Sequence, residues 1–135
     1  MPEPLSHEVT FGDCDPAGIV FYPNTFRWMD AAFHKLLRQH GGHAYLCEQL
    51  GALGVGLVDA SAQFQKPMRD GEQLSLRISN LEWSKRTLTV YYDGEVDGSA
   101  RFRGREVRCL FKQSDNGIVA GEIDQLRQCL EPLNE

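Results

Sequence analysis

The sequence lacks any apolar run approaching the roughly 20 residues that a membrane-spanning helix needs, so its 135 residues hold no helical span. Its opening segment, Met1-Pro2-Glu3-Pro4-Leu5-Ser6, has neither a basic stretch nor an apolar one after it, and no export signal is expected. Positive charge is not in excess. Fourteen Lys and Arg stand against 19 Asp and Glu, a formal net charge of −5, which gives no general field for nucleic acid. A polyanionic ligand must therefore find a local cluster of cations. Cysteine is sparse: Cys14, Cys47, Cys109 and Cys129 show no C-x-x-C spacing and no nearby paired histidines. No zinc site is expected from them, and without an export signal they read as four reduced thiols of a cytoplasmic protein. His7, His34, His40 and His43 are scattered and make no metal-binding pattern. There is no repeat, no low-complexity tract, no serine in a nucleophile-elbow motif and no glycine-rich phosphate loop.

What is present is ordinary globular composition, 41% hydrophobic and 24% charged, over a length that suits one domain spanning residues 1–135. A first strand is expected around His7–Phe11. Phe26, Met29, Phe33, Leu36 and Leu37 then fall at helical spacings of three and four. The predicted helix has Asn24 as its N-cap and ends at Gly41-Gly42. A shorter helical turn is predicted over Ala44 to Leu50. After Gly54 the period becomes two. Val58, Ala60, Ala62 and Phe64 form one face, followed by Leu74, Leu76 and Ile78, then Leu88, Val90 and Tyr92. Arg101, Arg103 and Arg105 alternate with Phe102 and Gly104 in a last strand, and this stripe suits a solvated face or a subunit contact better than a phosphate site. Short connections between such strands imply an antiparallel sheet. The class is α+β, one long helix on a curved sheet of about five strands, with Ala60 and Ala62 small enough to let the helix sit close.

The loop Phe11-Gly12-Asp13-Cys14-Asp15-Pro16-Ala17-Gly18-Ile19-Val20-Phe21-Tyr22-Pro23-Asn24 places two carboxylates directly before the long helix. A helix start offers unpaired N–H groups and a positive dipole end, which suit a developing oxyanion. A carboxylate beside those donors can attack a carbonyl or deprotonate a water that does. Spacing alone equally allows Asp13 and Asp15 to be plain turn residues.

The stretch F-G-D-C-D-P-A-G-I-V-F-Y-P-N-x-F-R-W-M-D resembles the 4-hydroxybenzoyl-CoA thioesterase family, hotdog-fold acyl-CoA thioesterases whose catalytic Asp lies on the loop before the central helix. The likeness runs on through F-Q-K-P-M-R-D-G-E (Phe64 to Glu72) and E-W-S-K-R (Glu82 to Arg86). It implies Asp15 as the catalytic carboxylate, with Asp13 shaping the loop, and the backbone N–H of Tyr22 as the group polarising the thioester carbonyl. It also implies Asp30 near the aryl end of the substrate, and Lys85 and Arg86 as contacts to the phosphates of coenzyme A. For Asp30 a solvated helix position is an equal alternative, and for Lys85 and Arg86 an exposed turn is. A sister branch carries a catalytic Glu inside the long helix, and Asn24 to His40 contains none.

The expected function is hydrolysis of an acyl-CoA, aromatic by resemblance to the hydroxybenzoyl group, with no metal or prosthetic group. A thioester suits such a site, since its carbonyl has weak resonance and a good leaving group. Asp15 would act as nucleophile or as general base. The resemblance implies at least a homodimer, and a homotetramer in many relatives, with each site shared between two chains; no nucleic-acid or membrane partner is expected. Two alternatives stand: an aliphatic acyl-CoA or acyl-carrier thioesterase, and a non-catalytic module that binds acyl thioesters.

Overall fold

Strict alternation fixes the inner face of the sheet. In the computed structural model, which describes residues 1–131, Leu74, Leu76 and Ile78 are buried on β3 (Gln73–Trp83) while Ser75, Arg77 and Ser79 face out. β4 (Leu88–Val96) buries Leu88, Val90, Tyr92, Gly94 and Val96 in the same way. These strands pair with each other, with β1 (Leu5–Glu8), and with β5 (Ser99–Ser114), which also holds β2 (Gly54–Phe64). The order β1-β3-β4-β5-β2 is antiparallel throughout, and a short β6 (Gly117–Ala120) hairpins back on β5.

The sheet curls around α1 (Pro23–Arg38), whose Thr25, Trp28, Met29, Ala32, Phe33, Leu36 and Leu37 are buried at spacings of three and one. That stripe is the apolar face of an amphipathic helix. Each large side chain removed from water there contributes roughly 1.5–3 kcal/mol. α2 (His43–Leu50) packs on α1 and β2, and α3 (Asp124–Leu130) packs on α2. This is the hotdog architecture, α+β, that the resemblance implied.

Several local expectations are corrected. Pro23 is the first helical residue and Tyr22 the cap, so Asn24 lies inside the helix; proline suits that first position because its missing N–H has no partner there anyway. The first strand is earlier than expected, and Phe11–Asp13 instead forms a 3₁₀ turn with Phe11 exposed. β2 does not alternate cleanly: a bulge between Leu57 and Asp59 breaks the pairing, and Val58 and Phe64 are exposed. The helix comes close to the sheet at Gly104, where a Cβ would stand 2.6 Å from Met29 Sδ. β6 and α3 were not anticipated.

Candidate active site

The loop before α1 is tied down from three sides. Asp13 Oδ2 accepts the Thr10 N–H at 2.9 Å and lies 2.9 Å from His7 Nε2, on β1. The Asp13 carbonyl accepts the Phe21 N–H at 2.9 Å and Asn24 Nδ2 at 2.8 Å, which ties both ends of the loop together. Burial pushes the Asp13 carboxyl upward, but the Thr10 N–H and the His7 ring outweigh it and hold it below its usual value. The Val20 N–H donates to the Met68 carbonyl at 2.8 Å, which docks the loop on the chain leaving β2.

Within this frame Asp15 is set by its own backbone. Its N–H donates to the Ile19 carbonyl and its carbonyl accepts the Gly18 N–H, both at 2.9 Å. Gly18 sits at φ +81°, the left-handed region that glycine enters without strain. The Ala17 N–H donates to Asp15 Oδ1 at 2.8 Å. This Asx-type turn orients the carboxylate and, among the described residues, leaves Oδ2 without a partner. Nine residues after Asp13 the chain reaches Tyr22, the cap of α1, whose N–H makes no hydrogen bond among the described residues.

Asp15 and Tyr22 line one cleft of about 430 Å³. Ile19, Val20, Phe64, Pro67 and Met68 give it mostly apolar walls, with Thr25, Gln65 and Lys66 as its other polar members. One wall is braced from β5: Arg101 donates to the Pro67 carbonyl at 2.8 Å and makes a bidentate pair with Glu72 at 2.8 and 2.9 Å. That pair, against the weaker upward pull of burial, holds the Glu72 carboxyl below its usual range. Asp15 and Tyr22, with Oδ2 of one and the N–H of the other unpartnered among the described residues, thus line one apolar cleft at a helix start. Such a site can deliver a nucleophile, or a base, to a carbonyl whose oxygen is stabilised by the amide and the helix dipole.

The remaining expected residues are not on this cleft. Asp30 lies exposed, eight residues along α1 from Tyr22 and so about 12 Å further at 1.5 Å per residue. Arg108 Nη2 donates to its Oδ1 at 2.9 Å. Arg108 also contacts Glu106 Oε1 at 3.0 Å and covers the Phe33 ring at 4.2 Å, while Tyr92 donates to the same Glu106 oxygen at 2.5 Å. Burial works against the Arg108 charge, but Glu106 and Asp30 outweigh it and raise its pKa; burial followed by the Glu106 charge pushes Tyr92 far up, keeping it a neutral donor. His34 Nε2 is 3.6 Å from Asp30, but burial lowers its pKa more than Asp30 raises it. Lys85 and Arg86 occupy the exposed turn between β3 and β4, and Arg86 Nη1 donates to the Ala120 carbonyl at 2.9 Å.

The arginine stripe is paired off. Arg101 holds Glu72, Arg103 Nε is 3.9 Å from Asp93, and Arg105 Nη1 is 3.4 Å from Asp59. Each of the three thus has a carboxylate neighbour within the same chain. Three features escaped the sequence reading. The parity that turns Phe102 and Gly104 inward also turns Glu106 and Arg108 inward, a signal that was there to be used. Thr25 belongs to the same inward stripe of α1 as Trp28 and Met29. The His7–Asp13 pair had no such signal, because it crosses a turn of irregular backbone. Among the described residues no three His, Cys, Asp or Glu side chains gather as a metal site.

Comparison with known proteins gives the family to which this fold and loop belong. Residues 17–101 match the family model for the thioesterase superfamily, and the chain belongs to that family. It is 31% identical over 85 residues to 4-hydroxybenzoyl-CoA thioesterase from Pseudomonas sp. (strain CBS-3), covering 62% of this chain and 60% of that protein. It is 32% identical over 82 residues to 1,4-dihydroxy-2-naphthoyl-CoA hydrolase from Synechococcus sp. (strain WH7803), covering 56% and 54%. The matched stretch thus spans less than two thirds of either relative. The structure of a gentisyl-coenzyme A thioesterase superposes with a TM-score of 0.76 at 29% identity, covering 93% of this chain and 99% of that one.

Proposed function

We propose that this protein hydrolyses an acyl-CoA thioester to the free acid and coenzyme A, with Asp15 as the catalytic carboxylate and the Tyr22 N–H as oxyanion donor. The observation that carries the reading is that Asp15 and Tyr22 line the same apolar cleft, and that among the described residues neither Asp15 Oδ2 nor the Tyr22 N–H has a hydrogen-bond partner. Asp15 Oδ2 bonds to the carbonyl carbon, or takes a proton from a water whose oxygen does. The carbonyl electron pair moves to the oxygen facing Tyr22. Its return expels the CoA thiolate, which is protonated on release. In the first route the resulting mixed anhydride is then opened by water to give the acid and restore Asp15. No metal or prosthetic group takes part in either route, because the thioester supplies the leaving group.

An aromatic acyl group is the favoured substrate: the two curated relatives and the superposed structure described above carry hydroxybenzoyl, dihydroxynaphthoyl and gentisyl names, and the cleft is walled by Phe64, Ile19 and Met68. Asp30 of the same chain is too far from Tyr22 to meet a single aryl ring, so in this reading a neighbouring chain supplies its Asp30 to the aryl end. Lys85 and Arg86 hold the phosphates of coenzyme A. The assembly is at least a dimer and, in this reading, a tetramer. Its support is the eleven-residue β2, which ends the sheet and exposes Leu57 and Val58; an open apolar edge of that length favours pairing with a second copy. A cytoplasmic setting agrees with four free thiols.

The test is thiol release from a panel of benzoyl, hydroxybenzoyl, phenylacetyl and aliphatic CoA esters. Highest kcat/KM on hydroxylated aryl esters is expected. Preference for aliphatic chains would move the substrate class, and binding without turnover would make the protein an acyl-thioester-binding module.

A further inference from the structure

Three buried side-chain polar atoms have no hydrogen-bond partner among the described residues: Thr25 Oγ1, Trp83 Nε1 and Arg101 Nε. Both terminal nitrogens of Arg101 donate to Glu72 or Pro67, and neither Arg101 nor Trp83 lines the cleft. Thr25 does line it, together with Asp15 and Tyr22, although no part of the residue is exposed. Valine has nearly the same shape and would fill this place without stranding a hydroxyl. A buried polar group left unsatisfied in the free protein calls for an explanation, and a ligand that completes it is one.

Position along the helix says which ligand atom. Thr25 is the third residue of α1, and side chains there tilt toward the helix N-terminus. Its backbone N–H is already spent on the Tyr22 carbonyl at 3.1 Å, while the Phe21 carbonyl takes the Asn24 N–H. Helical threonine commonly splits between two χ1 rotamers because its hydroxyl can bond a carbonyl of the preceding turn. Here that bond is not made.

We propose that the Thr25 hydroxyl is a second donor to the oxygen of the bound acyl carbonyl, beside the Tyr22 N–H; this rests on the thioesterase reading above. Thr25 lines the cleft while its hydroxyl is buried and unpartnered among the described residues, and in this proposal rotation about χ1 turns that hydroxyl to the carbonyl oxygen. As the new bond forms at the carbonyl carbon, the oxygen gains the electron pair and the hydroxyl strengthens its hydrogen bond without giving up its proton. When the thiolate leaves, the carbonyl is restored and the hydroxyl is unchanged.

The test compares wild type, Thr25→Val, Thr25→Ser and Asp15→Asn in thiol release, with Tm recorded for each. Loss of an oxyanion donor lowers kcat by about 10–100-fold, at or below the usual range for such groups. The expected result is that fall in Thr25→Val with KM within about threefold, Tm at or above wild type, and most of the lost rate recovered in Thr25→Ser. Thr25→Val with kcat within about twofold of wild type overturns the assignment, while loss of activity in Asp15→Asn keeps the thioesterase reading standing. If Val at this position prevents folding, Thr25→Ala against Thr25→Ser decides, and equal kcat in the two overturns it. A wild type with no turnover on any ester overturns both readings together.

Discussion

Arg108 Nη2 donates to Asp30 Oδ1 at 2.9 Å, joining a guanidinium with 3% of its side chain exposed to a carboxylate at the helix surface. The arginine is held from behind by Glu106, itself 2% exposed, and Glu106 by Tyr92. Asp30 therefore has a buried guanidinium as its partner, although the carboxylate itself is exposed. Arg108→Met would strand the Glu106 charge inside the sheet, and removal of one partner from a buried pair costs about 3–5 kcal/mol. Tyr92→Phe removes one hydrogen bond to the same carboxylate and should cost about 1.5–3 kcal/mol. Urea denaturation of both variants measures this, and Arg108→Met as stable as wild type would show that Glu106 is not held as a buried charge.

Acid should destabilise the fold in two separate ranges. His34 has its pKa lowered below its ordinary 6.5, so as pH falls through that value the unfolded chain takes up a proton that the fold resists. Glu72 and Asp13 are also lowered, from ordinary values of 4.5 and 3.8. Their contribution is fully present above the unfolded values and is lost as pH drops below about 4.5 toward the folded ones. Thermal melts from pH 8 to 3 should show both losses, with His34→Gln flattening the upper range and Asp13→Asn or Glu72→Gln the lower. An unchanged upper range in His34→Gln would mean the ring is not shielded as described.

What could be read in advance depended on how regular the backbone is. Leu74, Leu76 and Ile78 on β3, and Leu88, Val90 and Tyr92 on β4, have the burial their alternation demanded, because each strand is clamped on both sides. On β2, Val58 and Phe64 departed from theirs, since a bulge resets the parity and the outer edge is unpaired. At the site, Asp15 and Tyr22 were singled out by the resemblance of their loop, and a short loop and the helix start that follows it set where they lie. Lys66 and Pro67 reach the same cleft from some 50 residues away, held there by the Val20–Met68 hydrogen bond and by the bonds that Gln65, Lys66 and Pro67 make with Arg101. No local pattern carries that information.

The exposed turn at Lys85 and Arg86 gives a prediction about coenzyme A. Lys85→Ala/Arg86→Ala should raise KM for an acyl-CoA about tenfold, the loss of roughly 1.4 kcal/mol of binding, while kcat changes little. The same variant should show no defect on an acyl-pantetheine substrate, which lacks the nucleotide phosphates. A kinetic comparison of the two substrates measures it, and an unaltered KM for acyl-CoA removes both residues from the site.

The most direct measurement is single-turnover thiol release from 4-hydroxybenzoyl-CoA by wild type and Asp15→Asn, with folding of both checked by thermal melting. The Asn variant preserves the shape of the loop and removes only the charge. The account predicts a folded variant that binds the thioester and releases thiol at least about 10³-fold more slowly, the scale on which essential catalytic groups act. A folded Asp15→Asn protein that hydrolyses the thioester within a fewfold of the wild-type rate would contradict it.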